Sequence, residues 1–199
     1  MNLPNKLTVF RIILVPIMVI VSYLKIDSLF LGIPVSYIIM DLIFVIASIT
    51  DKLDGSIARK NNLVTNFGKF LDPIADKILV LSALMIMVEI GKIPAWIPII
   101  VLFREFLISG YRLIAATEGG KVISASIWGK TKTVTQMIAI ILAFLDKYNF
   151  AEFIYKNGMT SYEYILNITV TMLLIISVIA TIFSGVEYLK NGKELLKDK

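Results

Sequence analysis

Four aspartates stand at fixed spacings between long apolar runs: Asp51 and Asp54, three residues apart, then Asp72 and Asp76, four apart. Gly55, Ala58 and Gly68 are interleaved with them, and Arg59 closes the first group. An ionisable side chain near a bilayer core costs roughly 2.5–3.5 kcal/mol on insertion scales, so such groups pair, bind ions or do chemistry. A single aspartate near an interface ordinarily belongs to a solvated helix end, and Lys52, Arg59, Lys69 and Lys77 are at hand as partners. Four carboxylates brought to one point behave differently. They repel unless cations neutralise them, and one or two divalent ions are the natural partners. Two such ions can clamp a diphosphate and stabilise both the attacking and the leaving oxygens.

On a helix, Asp51 and Asp54 occupy neighbouring positions of one face. Gly55 lies one turn beyond Asp51 and Ala58 one turn beyond Asp54, so the acids continue into a strip almost without side chains. A bulky flat ligand can approach the backbone there. Arg59, at the end of the strip, can meet a phosphate with its fork of donors. Gly68, Asp72 and Asp76 share a face if one helix runs through Pro73. If the helix begins at Pro73 instead, Asp72 becomes a cap and the shared face is lost. The connection from Lys60 to Phe67 is short, so antiparallel neighbours could turn all four acids toward each other.

The rest of the chain has to position these groups. It has 199 residues, 57% of them hydrophobic, more than a soluble chain of this length could bury. The reading is an all-α integral membrane protein, a single membrane domain over residues 1–199. Spanning helices need about 20 mostly apolar residues. Six fit, near Leu7–Leu24, Val35–Arg59, Asn66–Glu89, Ala95–Ala116, Ile127–Leu145 and Tyr164–Tyr188. A short amphipathic segment over residues 2–6 precedes them. With six transmembrane helices, Lys6, Arg11, Arg59, Lys60, Lys69, Arg112, Lys121, Lys130, Lys132 and the last four lysines fall on one side. The other side receives only Lys25, Lys92, Lys147 and Lys156. Positive residues mark the cytoplasmic face, so both termini and the acidic motif are expected there.

The chain has neither cysteine nor histidine. Thiol nucleophiles, imidazole bases and Cys/His zinc sites are therefore excluded. A catalytic base must be a carboxylate, lysine or tyrosine, and a metal must be held mainly by oxygen, which suits magnesium, manganese or calcium. The net charge of +5 fits anionic lipids and substrates. The basic residues are scattered along apolar segments, so nucleic acid is not an expected partner.

The pattern Asp-x-x-Asp-Gly-x-x-Ala-Arg, eight residues, Gly-x-x-x-Asp-x-x-x-Asp resembles the signature of the CDP-alcohol phosphotransferase family. It matches at Asp51, Asp54, Gly55, Ala58, Arg59, Gly68, Asp72 and Asp76. The resemblance implies transfer of a phosphatidyl group from CDP-diacylglycerol to an alcohol, with release of CMP, in a membrane-bound homodimer. It implies that Asp51, Asp54 and Asp72 hold Mg2+ or Mn2+, as two ions, and that Asp76 is the general base and also touches metal. Gly55, Ala58, Arg59 and Gly68 resemble the contacts to the CDP-lipid. Asn5, Thr8 and Arg11 could line the nucleotide side of the cavity, or Arg11 could snorkel to lipid headgroups.

The acceptor is read from other residues. Arg104, Arg112, Lys130 and Lys132 on membrane helices suggest a pocket for an anionic ligand. The competing structural reading has Arg104 paired within the protein. Serine, choline or ethanolamine would need less positive charge; glycerol 3-phosphate or inositol phosphate would need it. The stretches Leu3–Arg11, Arg104–Arg112 and Gly129–Thr133 resemble family members that use glycerol 3-phosphate. Phosphatidylglycerol is a further possible acceptor, and a divalent-cation transporter is the alternative from another class. Trp96, Trp128, Tyr148, Tyr155, Tyr162, Tyr164 and Tyr188 fit interfacial aromatic belts.

Overall fold

A computed structural model describes the backbone at residues 2–24, 26, 28–60, 65–117 and 126–191, and the side chains there apart from 3, 52–60, 69, 115–117 and 191. Among the described residues there are six long helices: α1 (Leu3–Tyr23), α2 (Val35–Lys60), α3 (Asn66–Glu89), α4 (Trp96–Thr117), α5 (Ile127–Leu145) and α6 (Ser161–Asn191). A two-residue hairpin, β1 (Leu29–Phe30) paired with β2 (Ile33–Pro34), turns the chain into α2 around Gly32 at φ +79°. A 3-10 turn lies at Glu152–Ile154.

The expected amphipathic start is not a separate segment. Residues 3–6 are the first turn of α1, because Asn2 caps it by accepting from the Asn5 N–H at 3.2 Å and Pro4 fits the opening turn. α3 runs through Pro73, so Asp72 lies within the helix and does not cap it. Its cap is Thr65, whose hydroxyl oxygen accepts from the Gly68 N–H at 3.0 Å. α3 ends where Gly91 takes φ +75°, with Lys92 N–H returned to the Met87 carbonyl and Gly91 N–H to that of Val88.

The chain divides into two compact units. The first comprises residues 1–93 and 140–149. Here α1 packs on both α2 and α3. Leu14, Val15 and Met18 of α1, Met40, Phe44 and Ala47 of α2, and Ala75, Leu79 and Ala83 of α3 are buried at helical spacing. Buried Lys92 donates to the carbonyls of Asp146 and Tyr148 and lies over the Tyr37 ring, tying residues 146–148 to the end of α3.

The second unit comprises residues 94–139 and 150–199, with α4 packed on α6. Asn167 and Thr171 of α6 accept from the backbone N–H groups of Phe153 and Ala151, and so fix the loop that precedes it.

Large apolar side chains remain exposed along these helices, among them Ile13 and Ile20 of α1, Phe103 and Phe106 of α4, and Ile176 and Phe183 of α6. Water would penalise so extensive an apolar surface, whereas lipid does not. Among the described residues, Pro4–Tyr23 and Ser161–Lys190 are long and apolar enough to cross a bilayer. Among the described residues the architecture is all-α apart from the small hairpin, with long apolar helices consistent with membrane association.

Candidate active site

The first three turns of α1 carry Asn5, Thr8 and Arg11 on one stripe. All three are buried, at 7%, 1% and 0% exposure. Each reaches a different part of the acidic segment. Arg11 Nη1 stands 2.7 Å from Asp51 Oδ1 on α2. Thr8 Oγ1 donates to Asp72 Oδ1 on α3 at 2.7 Å. Asn5 Oδ1 accepts from the Thr65 hydroxyl at 3.0 Å, which places α1 against the cap of α3. Arg11 therefore does not snorkel: its guanidinium is enclosed and spent on Asp51.

Gly68 of α3 lies close against Asn5 of α1. A Cβ there would stand 3.1 Å from Asn5 Oδ1, 3.3 Å from Thr65 Oγ1 and 3.6 Å from Asp72 Oδ2. The glycine thus has a packing reason beside any ligand-contact role. Asp76, one turn beyond Asp72, is exposed. The structure brings together Asn5, Thr8, Gly68 and Asp72, and separately Arg11 and Asp51. Asp54, Gly55, Ala58 and Arg59 lie on the helical backbone of α2, but outside the described side chains.

The donor set is entirely oxygen, which suits a hard divalent cation. Asp51 and Asp72 each have one oxygen held by a group from α1, which fixes how each carboxylate is turned. Among the described residues no three acidic side chains stand close enough together to hold an ion. Asp54 lies outside that set.

The second unit holds the basic residues. Glu105 Oε1 is 2.8 Å from both Arg104 Nη1 and Lys132 Nζ. The other terminal nitrogen of Arg104 donates to Ser184 Oγ on α6 at 2.6 Å. Gly129 makes room for this guanidinium, because a Cβ there would stand 3.2 Å from Arg104 Nη2. Arg112 donates to the Tyr188 hydroxyl at 3.2 Å, and Lys130 is exposed. Tyr188 is 2% exposed, so it is not a belt residue; it is buried and serves Arg112. Trp96 and Trp128 are exposed, and each also packs on a ring, Trp96 edge-on to Phe150 and Trp128 stacked on Phe183. Sequence reasoning missed Ser184 and Tyr188 as partners. The Ser184-Gly185 pair in an apolar helix was a faint signal for the first.

Comparisons with known proteins bear on the whole chain. Residues 1–184 match the CDP-alcohol phosphatidyltransferase family. The chain is 42% identical to the CDP-diacylglycerol–glycerol-3-phosphate 3-phosphatidyltransferase of Bacillus subtilis, over 98% of this chain and 97% of that protein. Proteins of the same name from Haemophilus influenzae and Rickettsia bellii are 41% and 38% identical. Those matches cover 99% and 97% of this chain, and 96% of each relative. The signature from Asp51 to Asp76, the hold of the first helix on Asp51 and Asp72, and a match over nearly the full length agree: this chain belongs to the CDP-alcohol phosphatidyltransferase family.

Proposed function

We propose that this protein transfers the phosphatidyl group of CDP-diacylglycerol to glycerol 3-phosphate, giving phosphatidylglycerophosphate and CMP. The observation that carries the proposal is the full-length similarity to relatives bearing that name, with all four acids present at the required spacing. The enzyme is read as one catalytic membrane domain over residues 1–199, six-spanning and homodimeric. The lysine and arginine distribution supports cytoplasmic termini and an active site facing the cytoplasm.

Asp76 takes the proton of the acceptor hydroxyl, whose oxygen bonds to the phosphatidyl phosphorus. The anhydride bond to the CMP phosphate breaks, and CMP leaves with the electron pair. Asp51, Asp54, Asp72 and Asp76 are the residues that would hold two Mg2+ or Mn2+ ions, which supply charge neutralisation at the diphosphate. Gly55, Ala58, Arg59 and Gly68 are the residues that would contact the CDP-lipid, with Arg59 the cation for its phosphates. Asn5 and Thr8 line the nucleotide side. Arg104, Arg112, Lys130 and Lys132 receive the acceptor's phosphate. With no histidine or cysteine in the chain, direct displacement needs no covalent intermediate.

The test supplies purified protein with CDP-diacylglycerol, Mg2+ or Mn2+ and radiolabelled glycerol 3-phosphate. Label should enter lipid in step with CMP release. Incorporation of inositol phosphate or phosphatidylglycerol in its place would correct the acceptor. Cation flux in liposomes without CMP release would replace the enzyme by a transporter.

A further inference from the structure

We infer that Glu105 is a positioning residue for the acceptor's phosphate. It acts by holding Arg104 and Lys132 as one cationic couple. The inference rests on the acceptor pocket proposed above.

A single oxygen, Glu105 Oε1, accepts from both cations at 2.8 Å, so the two charges are kept within two hydrogen-bond lengths of each other. The two cations would not hold those places without the carboxylate. The side chains of Arg104, Glu105 and Lys132 are only 13%, 14% and 8% exposed, and two like charges so enclosed repel strongly. The carboxylate offsets one of the two, and the trio keeps a net charge of +1.

The couple is also braced from the side. Ser184 accepts from Arg104 Nη2 at 2.6 Å, and Gly129 leaves the space that this nitrogen occupies. Arg104 is thereby fixed at both terminal nitrogens. Its Nε is buried with no hydrogen-bond partner among the described residues, and so is the Nε2 of Gln136, one turn beyond Lys132 on α5. Lys132 has three donors in all. Buried donors without partners are rare in folded proteins and call for an acceptor. A phosphate dianion, with several acceptor oxygens, matches a fixed couple of net positive charge beside unspent donors. A neutral alcohol does not.

The experiment compares steady-state kinetics of R104Q, K132Q, E105Q and the E105Q/K132Q double variant in the full-length protein. R104Q and K132Q should each raise KM for glycerol 3-phosphate at least tenfold. E105Q should do the same although it removes a negative charge, with kcat and the KM for CDP-diacylglycerol changed less than threefold. In the K132Q background, E105Q should add less than threefold. If R104Q and K132Q leave KM for glycerol 3-phosphate unchanged, the pocket itself falls, and the role of Glu105 with it. If they raise it while E105Q leaves it unchanged or lowers it, the pocket stands and Glu105 is overturned as its organiser. Should E105Q fail to accumulate in the membrane, E105D decides, because it keeps the charge but withdraws the carboxylate by one methylene. A KM for glycerol 3-phosphate equal to the wild-type value in E105D overturns the inference.

Discussion

Replacing Gly68 with alanine tests the contact between α1 and α3 most directly. The added methyl would sit 3.1 Å from Asn5 Oδ1 and 3.3 Å from Thr65 Oγ1, two atoms hydrogen-bonded to each other at 3.0 Å. Neither can withdraw without stretching that bond, and Asn5 is too enclosed to swing aside. Loss of one such bond costs about 1 kcal/mol, and crowding a packed site costs about 1–3 kcal/mol. Alanine regains up to about 1 kcal/mol over glycine in a helix. The net expectation is a loss of about 2 kcal/mol, or about 4–8 °C in the thermal midpoint for a chain of this size. The assay is thermal unfolding in detergent, followed by circular dichroism, for G68A, N5A and the double variant. In the N5A background the methyl has room, so the G68A penalty should shrink by about 1 kcal/mol or more. A stabilised G68A protein, or an equal penalty in both backgrounds, would refute the close contact.

Three further outcomes are expected. Asp76→Asn should abolish phosphatidyl transfer while Mn2+ binding, followed by electron paramagnetic resonance, is largely kept; full turnover would remove Asp76 from the role of base. Thr8→Val, which keeps the shape but loses the hydrogen bond to Asp72, should weaken Mn2+ binding about 10–100-fold. Thr8→Ser should restore it, and unaltered binding in the valine variant would show that the hydroxyl does not orient the carboxylate. Chelation with EDTA should stop turnover without loss of helical signal, and Mg2+ or Mn2+ should restore it; activity that survives chelation would count against a divalent ion.

Much of this fold is visible in the chain before any coordinates. The limits of α3 and α5 follow from their apolar runs and the punctuation around them, and the structure places both helices where the sequence does. Pro73 left a choice between a helix start and a helix interior. Thr65 decides it, because its hydroxyl caps the turn eight residues earlier. The acids and their spacing were legible because they are local. Their partners were not. Arg11 meets Asp51 and Thr8 meets Asp72 only because α1 lies against both α2 and α3, a choice made by packing over 40 to 64 residues of chain. Tyr188 reads as a belt residue by type and position, yet Arg112 draws its hydroxyl into the protein. Arg104 and Glu105 look like a self-cancelling pair. Lys132, on another helix, turns that pair into a bridge.

The polar stripe of α1 has a consequence for how the chain is made. Arg11 and Thr8 leave the ribosome before Asp51 and Asp72, and synthesis at about 5–20 residues per second separates them by seconds. When Asp51 of α2 and Asp72 of α3 emerge, the cation and the hydroxyl that meet them in the folded protein already exist in the chain. The order of synthesis therefore supplies the compensating groups first. A circular permutation that moves α1 behind α6 would leave Asp51 and Asp72 without these partners until synthesis ends.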